Sequence, residues 1–416
     1  MSEERRWSFG ELAAAGHLEF GDGYRTRKDQ LGPGGYPILR VAEVLDGRIA
    51  PTFTEYVRAE YRSVMRGKVS RPGDVVLTTK GTVGRVAIMP ENSPEFAYSP
   101  QVCYFRAEAD SPLNSQFLYY WLRSDQFRRQ AAGMKGQTDM ADYLNLADIG
   151  TLNLAVPGRE VQQAIAEVLG ALDDKIALNE RICATALELG DSYHQMVIER
   201  DGSLQYATFG QLMADGVLQF GDGYRTKKAE HGTPGLPILR VAEVGDGKIA
   251  PTFGDHVREE FRAAMGRKTS RPGDVVLTTK GTVGRVAMIS THDAEFVYSP
   301  QVCFFRSMSD DAPVSGPYLF HWLRSDQFWR QAAGMKGQTD MADYLSLSDI
   351  RSLRISLPGG VALAAFDRQC APLHARAEAA RSENRTLADL RDTLLPQLVT
   401  GKLRVKDAAR VVEEAV

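Results

Sequence analysis

The chain has 416 residues, of which 43% are hydrophobic and 25% are charged, and its formal net charge is −3. This composition is ordinary for a globular protein of two or three domains, and it excludes the overall basicity of a protein that coats nucleic acid without sequence preference. No run approaches 18 apolar residues, and the N-terminus carries no apolar leader-like stretch. We therefore expect a cytoplasmic protein without membrane contact.

The first half of the chain mixes helical and strand patterns. FGELAAAGHLEF predicts a short helix, and GDGYRTRKDQLGPGG a glycine- and charge-rich loop. PILRVAEV predicts a strand closed by an Asp-Gly turn, a dipeptide that tolerates the positive φ of tight turns. RPGDVVLTT and YSPQVCYFR predict further strands, and KGTVGR predicts a turn between them. QFLYYWLRSDQFRRQAAG then predicts an amphipathic helix, before the half ends in a turn and a strand.

The segment 161–197 predicts one long helix with a heptad-like apolar stripe, which is suited to packing against a second helix. Two positions break the stripe, Lys175 and Asn179, and they either set the register or face solvent. The stripe comprises Ile165, Leu172, Ala186 and Tyr193 at one heptad position and Val168, Ile182, Leu189 and Met196 at the other.

The second half repeats the first. SRPGDVVLTTKGTVGRVA occurs at 70–87 and 270–287, and QAAGMKGQTDMADYL at 130–144 and 331–345. Two units of about 200 residues indicate duplicated domains and not a solenoid, which needs several short repeats. We predict an α+β fold with mixed or antiparallel sheets in both domains. The predicted boundaries are domain 1 at 1–157, a central helix at 158–200, domain 2 at 201–358, a distal helix at 359–396 and a tail at 397–416.

We expect the distal helix to pair antiparallel with the central helix, because each of these two long helices follows one copy of the domain. Pro372 lies within it, which predicts either a kink or a helix that begins only after Ala371. The tail predicts a turn, a short strand and a frayed helix.

The sequence carries no catalytic or metal-binding motif. The seven histidines fall singly, and GTVGR lacks the Gly-Lys-Ser/Thr ending of a phosphate-binding loop. Asp173-Asp174-Lys175 is similar to the tail of a nuclease metal motif, but it lies within the helix and is not duplicated. Cys103 and Cys303 occupy equivalent apolar strands, which predicts buried, inert thiols. We therefore expect no catalytic residue, no metal and no cofactor in this chain.

Three loops in each half combine positive charge with amide or hydroxyl groups. Arginine and lysine suit phosphates and guanine edges, glutamine suits an adenine edge, and threonine can touch a thymine methyl group. The alternative is that they are solvated turns. The neighbouring Tyr119, Tyr120 and Trp121 are predicted to lie in the core and not to stack on bases. The candidate DNA-binding residues are Tyr24, Arg25, Thr26, Arg27 and Lys28 (first loop), Lys80, Thr82 and Arg85 (second), Lys135, Gln137 and Thr138 (third), and in the second half Tyr224, Arg225, Thr226, Lys227, Lys228, Lys280, Thr282, Arg285, Lys336, Gln338 and Thr339.

The order of these motifs, twice over, resembles the specificity subunit of type I restriction–modification systems. The motifs are PILRVAEV with its Asp-Gly turn, RPGDVVLTTKGTVGRVA, and an exit ending in VPG or LPG before a long helix. LGALDDKIALNERI and LRDTLLPQLVTGKLRV are similar to the family's central and C-terminal helical repeats. In the family an acidic residue and a glutamine usually follow this proline. The present chain departs from that pattern, with PGREVQQ in the first copy and PGGVALAAF in the second.

The resemblance implies two target-recognition domains joined by two conserved antiparallel helices, each domain reading one half of a bipartite site in double-stranded DNA. It implies a non-catalytic subunit whose partners do the chemistry. These would be two modification subunits that use S-adenosylmethionine to methylate adenine N6, and restriction subunits that use ATP and magnesium. Flipping of the adenine into a partner's pocket would follow the logic of base-modifying enzymes.

The near-identity of the loops predicts more than the resemblance does. Only Arg27 changes among their charged residues, to Lys227, so both domains should read the same half-site, arranged as an inverted repeat. Three alternatives stay open: an autonomous enzyme, a scaffold that does not read DNA, and a subunit of a modification-only or other phage-defence complex.

Overall fold

The structure is a computed structural model that describes residues 5–50, 52–108, 110–134, 136–138, 141–309, 311–335, 337–339 and 342–415, with the backbone alone for 136–138, 141–142, 337–339 and 342–343. The chain forms two compact units. Unit 1 comprises Met1–Ala177 and Asn384–Val416, and unit 2 comprises Leu178–Glu383. Each unit holds one repeat and a part of both long helices. The linear domain boundaries divide the chain by sequence repeat and stay a prediction.

Unit 1 is built from short strands and short helices. Its strands are Arg5–Ser8, Leu18–Asp22, Leu31–Leu39, Tyr56–Val57, Val75–Thr78, Val86–Ile88, Ala97–Tyr98, Val102–Ala107, Gly136–Thr138, Ala141–Tyr143 and Asn153–Val156. Its own α-helices are Phe9–Ala14, Arg62–Met65, Ser115–Arg123, Asp125–Met134, Leu146–Thr151 and Val405–Glu413, with 3₁₀ turns at Lys28–Gln30, Ala59–Tyr61 and Arg66–Lys68.

Unit 2 has the same element order within its repeat. Its strands are Gln205–Thr208, Leu218–Asp222, Gly235–Leu239, His256–Arg258, Val275–Thr278, Val286–Met288, Val297–Tyr298, Val302–Ser307, Gly337–Thr339, Ala342–Tyr344 and Arg354–Leu357. Its own α-helices are Phe209–Ala214, Arg262–Met265, Gly316–Arg324, Asp326–Met335 and Leu347–Ser352, with 3₁₀ turns at Lys228–Glu230, Glu259–Phe261 and Gly266–Lys268.

An antiparallel four-stranded sheet forms the centre of each unit. In unit 1 its order is Leu18–Asp22, Val102–Ala107, Val75–Thr78 and Val86–Ile88, and unit 2 repeats this order. Successive side chains of a strand point to opposite faces, so Val75 packs into the core beneath the helix Ser115–Arg123 while Val76 packs into the core around Tyr98. A smaller mixed sheet lies beside it, with Ala97–Tyr98 parallel to Leu31–Leu39. The α+β prediction is confirmed.

The predicted strand PILRVAEV is shorter than expected. The strand ends at Leu39, and Val44 instead forms an isolated antiparallel bridge with Ile49. Gly47 adopts a φ of 86° between them, so the Asp-Gly turn lies where the sequence predicts it.

The central helix covers Arg159–Arg200 and the distal helix covers Gly360–Val399. The distal helix therefore passes through Pro372 and does not begin after Ala371. In unit 1, Asn384 Nδ2 donates to the Ile176 carbonyl over 3.2 Å. In unit 2, Cys183 Sγ contacts the Ala377 carbonyl at 3.2 Å.

The direction of the pairing follows from further contacts within each unit. Arg391 bonds the earlier Asp173 in unit 1 at 2.8 Å, and Asn179 bonds Glu383 in unit 2 at 2.7 Å. Within each unit, partner numbers on the distal helix fall as those on the central helix rise, so the helix segments are antiparallel, as predicted.

The predicted heptad stripe is confirmed at Ile165, Val168, Leu172 and Ala186 and is wrong at Leu189 and Met196. Ile165 and Leu172 are buried, but Leu189 and Met196 are 41% and 38% exposed, and Leu187 and His194 are buried in their place. The physical reason is the period: a straight helix turns every 3.6 residues and drifts away from a strict 3.5-residue repeat. Asn179 is fully buried and hydrogen-bonded to Glu383, so it does not face solvent.

The C-terminal tail has the predicted turn and helix but not the predicted short strand. After a turn at Gly401, whose φ is 67°, the chain forms the helix Val405–Glu413 and not a strand. Ala408 and Val412 of this helix pack into the core of unit 1. Within the described ranges, no helix combines the length and apolarity needed to cross a membrane.

Candidate nucleic-acid interface

The first and second candidate loops leave the four-stranded sheet at the same end. In the antiparallel register Asp22 pairs with Cys103 and Thr78 pairs with Val102. The strands that precede the two loops therefore end where the strand Val102–Ala107 begins. The equivalent pairs in unit 2, Asp222 with Cys303 and Thr278 with Val302, place its loops in the same way.

The backbone of the third loop joins the same end of the sheet. Its hairpin pairs Gly136–Thr138 with Ala141–Tyr143, and Tyr143 forms a bridge with Lys80 of the second loop. Leu144 N donates to the Thr79 carbonyl over 3.0 Å. In unit 2 the corresponding bridge joins Tyr344 to Lys280. The fold thus brings together loops that lie at least 50 residues apart in the sequence.

The base of the first loop is held by a close backbone approach. Tyr24 N donates to the Tyr98 carbonyl over 2.6 Å. A Cβ on Gly23 would lie 2.1 Å from that carbonyl oxygen, so only glycine fits. Lys68 Nζ binds the Gly23 carbonyl at 2.9 Å and the Asp22 carboxylate at 3.0 Å. Sequence reasoning missed Lys68, although its recurrence as Lys268 was an available signal.

The first loop turns its cations outward. Arg25, Arg27 and Lys28 are exposed, whereas the Thr26 hydroxyl oxygen is buried. Tyr24 Oη donates to Gln30 Oε1 over 3.1 Å, so this tyrosine also supports the loop internally.

Unit 2 presents the same loop. Arg225, Lys227 and Lys228 are exposed and Thr226 is half-buried. Burial and a hydrogen bond to Glu230 raise the pKa of Tyr224. In each first loop the tyrosine is hydrogen-bonded within the loop, whereas the three cationic side chains are exposed to solvent.

The second loop combines exposed tips with an internally bonded arginine. Lys80 and Thr82 are exposed, and Gly81 and Gly84 have φ values of 79° and 102°. Arg85 is half-buried, and its Nη1 donates to the Val44 carbonyl over 3.4 Å.

The second loop of unit 2 repeats this arrangement. Lys280 and Thr282 are exposed. Arg285 is also exposed, unlike Arg85, although its Nη1 reaches the Val244 carbonyl at 3.3 Å. Lysine and threonine at the tip are therefore better placed for a ligand than the arginine, which is partly committed to the fold.

Part of the third loop is not described. Lys135 and Lys336 lie outside the described residues. Gln137 and Thr138 belong to the strand Gly136–Thr138, and Gln338 and Thr339 to Gly337–Thr339. Their side chains are likewise outside the description, so their contact role stays a prediction.

A buried charge network lies beneath the loops, and sequence reasoning missed it. Arg106 Nε and Nη2 donate to Asp74 over 2.8 and 2.7 Å, and Tyr98 Oη donates to the same carboxylate over 2.7 Å. Burial and the neighbouring Asp74 raise the pKa of Tyr98. Arg306, Asp274 and Tyr298 repeat the network in unit 2, and the recurring Asp-Arg pair was a signal in the sequence.

The helix Ser115–Arg123 is anchored to the long helices through Asp173. Arg123 Nη1 and Tyr120 Oη both bond its Oδ2 at 3.0 Å. Asp173, which resembled part of a nuclease motif, therefore accepts structural hydrogen bonds. Tyr119, Tyr120 and Trp121 are at most 5% exposed, which confirms their place in the core.

In unit 2 the equivalent anchor contains histidines. Asp191 accepts from Arg324 and bonds His321 Nδ1 at 2.6 Å, and His321 Nε2 lies 3.2 Å from His374 Nε2. Burial lowers the pKa of His374 to about 4 and that of His194 to about 3. Despite burial, the hydrogen bonds from His321 and Arg324 lower the pKa of Asp191.

The described residues contain no cluster of three or more histidine, cysteine or acidic side chains that could hold a metal ion. Cys103 and Cys303 are buried, as predicted, and burial raises the pKa of both thiols. A thiol is reactive as its thiolate, so burial disfavours the reactive form of both cysteines.

Comparison with known proteins gives concordant matches. Residues 17–187 match the family model of the type I restriction modification DNA specificity domain. The type I restriction enzyme MjaX specificity subunit of Methanocaldococcus jannaschii is 21% identical, over 92% of this chain and 90% of its own length. The MjaVIII specificity subunit of the same organism is 20% identical, over 90% and 87%. A crystal structure of the type I S subunit from M. genitalium covers 96% of this chain and 97% of its own, at 15% identity and a TM-score of 0.53, and so shares the fold.

Proposed function

We propose that this chain, whose residues 17–187 match the family model of the type I restriction modification DNA specificity domain, is a type I specificity subunit and that both of its units read DNA. The internal repeat extends the assignment from the first unit to the second. In each described unit the exposed cations of the first and second loops leave one end of the central sheet. Such a cluster can supply the local positive charge that the overall net charge does not.

We further propose that the two units read the same half-site. The observation that carries this is the equality of the loops in backbone as well as in sequence. Gly81 and Gly281 share a φ of 79°, and Lys80 and Lys280 form equivalent bridges. Because base readout depends on which side chains reach which base edges, equal loops should select equal bases. In the family that this chain resembles, the two recognition domains are joined by antiparallel helices, so we expect the two half-sites to form an inverted repeat.

The chain is proposed to act without catalysis of its own. Two modification subunits would bind S-adenosylmethionine and methylate adenine N6, and restriction subunits would supply ATP-dependent cleavage. On the central helix of unit 2, Leu178, Leu189 and Met196 are 44%, 41% and 38% exposed. Leu189 and Met196 follow Leu178 by 11 and 18 residues. These separations are close to whole numbers of helical turns, so the three side chains form one stripe. We propose that a modification subunit docks on this stripe.

The decisive experiment is methylation footprinting of a random-sequence DNA library by the chain assembled with its modification subunits. We expect methylated adenines within an interrupted palindrome. Two unrelated half-sites would refute the shared readout while leaving the specificity-subunit assignment intact. The absence of any sequence preference would refute the assignment itself. Adding ATP and the neighbouring restriction subunit, and then scoring cleavage, separates a restriction complex from a modification-only one.

A further inference from the structure

The two units differ in shape and charge beside the second loop. The helix Asp125–Met134 of unit 1 carries Arg128 where Asp326–Met335 of unit 2 carries Trp329, within otherwise matching QF-x-RQAAGM segments. Each helix leads directly into the third loop. This position therefore lies next to the candidate DNA-binding face, although the readout residues themselves are shared.

Among the described residues of unit 1, a pocket lies beside the second loop. It has a volume of about 280 Å³ and lies between Gly84, Arg85 and Arg128. No described atom lies within 4 Å of the point that a Cβ on Gly84 would occupy. The pocket's acidic residue is Asp46, whose Oδ1 lies 3.5 Å from Arg123 Nε. Arg128 is thus the main cation left to serve a ligand in this pocket, and Arg85 lines it while its Nη1 stays bonded to the Val44 carbonyl.

In unit 2 the indole of Trp329 occupies the corresponding space. A Cβ on Gly284 would lie 2.0 Å from Trp329 Cη2, so the ring rests directly on the backbone of the loop. The glycine that is open in unit 1 is covered in unit 2, and the cation of Arg128 has no counterpart at position 329.

Arg128 can leave its present partner at little cost. Its Nη1 lies 3.1 Å from Asp125 Oδ1, with the two side chains 70% and 58% exposed. An exposed pair of this kind contributes only about 0–1 kcal/mol. An arginine can instead form a charge-assisted, bidentate contact with a phosphate.

We propose that the pocket between Gly84, Arg85 and Arg128 binds a phosphate of the DNA backbone, and that unit 2 lacks this subsite because Trp329 fills it. The proposal rests on the proposed DNA-reading function and deepens it. The two units read the same bases, but unit 1 makes one more ionic contact with the DNA backbone than unit 2 does. The subsite adds affinity without sequence information, because a phosphate contact carries none directly.

The test compares the salt dependence of DNA affinity in the assembled complex for the wild type and for Arg128→Ala, Arg128→Trp and Trp329→Arg. Losing one phosphate contact lowers the slope of log K against log salt by about 0.9, which amounts to about 3.5-fold less loss of affinity between 50 and 200 mM salt. Both Arg128 variants should show this decrease, and Trp329→Arg should show an increase of similar size. Arg410→Ala, which removes an exposed arginine from the C-terminal helix, is the matched charge control and should leave the slope unchanged.

Footprinting of the same variants separates the two levels of the proposal. An unchanged target sequence together with a lowered slope supports the phosphate subsite. An unchanged slope in Arg128→Ala, or an altered target sequence, overturns it. Neither result depends on whether the two half-sites of the wild type are equal, since that is read from the wild-type footprint alone. Because Arg128→Ala alters an exposed side chain, its outcome stands even if Trp329→Arg disturbs folding.

Discussion

Replacing Asp274 with alanine should destabilise unit 2 more than the equivalent Asp74→Ala change destabilises unit 1. Asp274 is 1% exposed and accepts from Arg306 Nε and Nη2 over 2.7 and 2.6 Å. Removing one member of a buried ion pair leaves the other charge without its counter-ion, at a cost of about 3–5 kcal/mol. We expect a loss in this range for unit 2.

Unit 1 has a second carboxylate that limits the damage. Arg106 Nη1 lies 3.0 Å from Glu19 Oε2, whereas Gln219 occupies the equivalent position opposite Arg306. The Glu19 side chain is 40% exposed, so solvent weakens this pair and its contribution is about 1 kcal/mol or less. Asp74→Ala should therefore cost about 2–4 kcal/mol, less than its counterpart in unit 2.

Hydrogen exchange measured in one molecule provides the comparison. The amides of Val75–Thr78 report the opening of unit 1 and those of Val275–Thr278 report the opening of unit 2, so each variant carries its own internal control. Asp274→Leu combined with Arg306→Met should recover most of the loss, because apolar residues can replace a buried pair. Equal losses for Asp74→Ala and Asp274→Ala, or no loss in either, would refute this account of the network.

Three further predictions concern binding, pH and assembly. Lys80→Glu and Lys280→Glu should weaken DNA binding to similar extents in a titration of the assembled complex. Unchanged affinity would show that both loops are solvated turns that do not contact DNA. Burial lowers the pKa of His194 to about 3, while an unfolded histidine titrates near 6.5; the unfolded state therefore binds more protons below pH 6.5. Stability should be lost as the pH falls, by about 2 kcal/mol at pH 5 through His194 alone. Hydrogen exchange at pH 7 and 5 should place this loss in unit 2. His194→Phe should remove the part due to His194 and leave the part due to His374, whose pKa burial lowers to about 4. Leu189→Glu and Met196→Glu should reduce co-purification of the modification subunit without altering exchange of Val275–Thr278; undiminished co-purification would exclude the stripe as its docking site.

The sequence predicts those features that depend on repetition or on local backbone geometry. The duplicated domains, the Asp-Gly turn at Gly47 and the buried Trp121 follow from repeats, turn chemistry and apolar periodicity. The exposure of Leu189 could not be read from the heptad, because the inward face of a straight helix drifts with the 3.6-residue turn. Pro372 likewise misled, since the helix around it continues on both sides.

The anchors to the long helices were harder to predict because their members are far apart in the chain and chemically unlike in the two units. Asp173 bonds Tyr120 and Arg391 in unit 1, whereas Asp191 bonds His321, which faces His374, in unit 2. The repeat therefore keeps its outward loops while its anchors to the long helices diverge. This is expected if DNA constrains the loops and only local packing constrains the anchors, since many buried polar networks satisfy the same hydrogen bonds. The position of Arg128 and Trp329 belongs neither to the constant loops nor to the divergent anchors. The position adjoins loops whose sequence is held constant, yet it changes from a cation to a packed ring, which is tolerable at a contact to the backbone and not at a contact to a base.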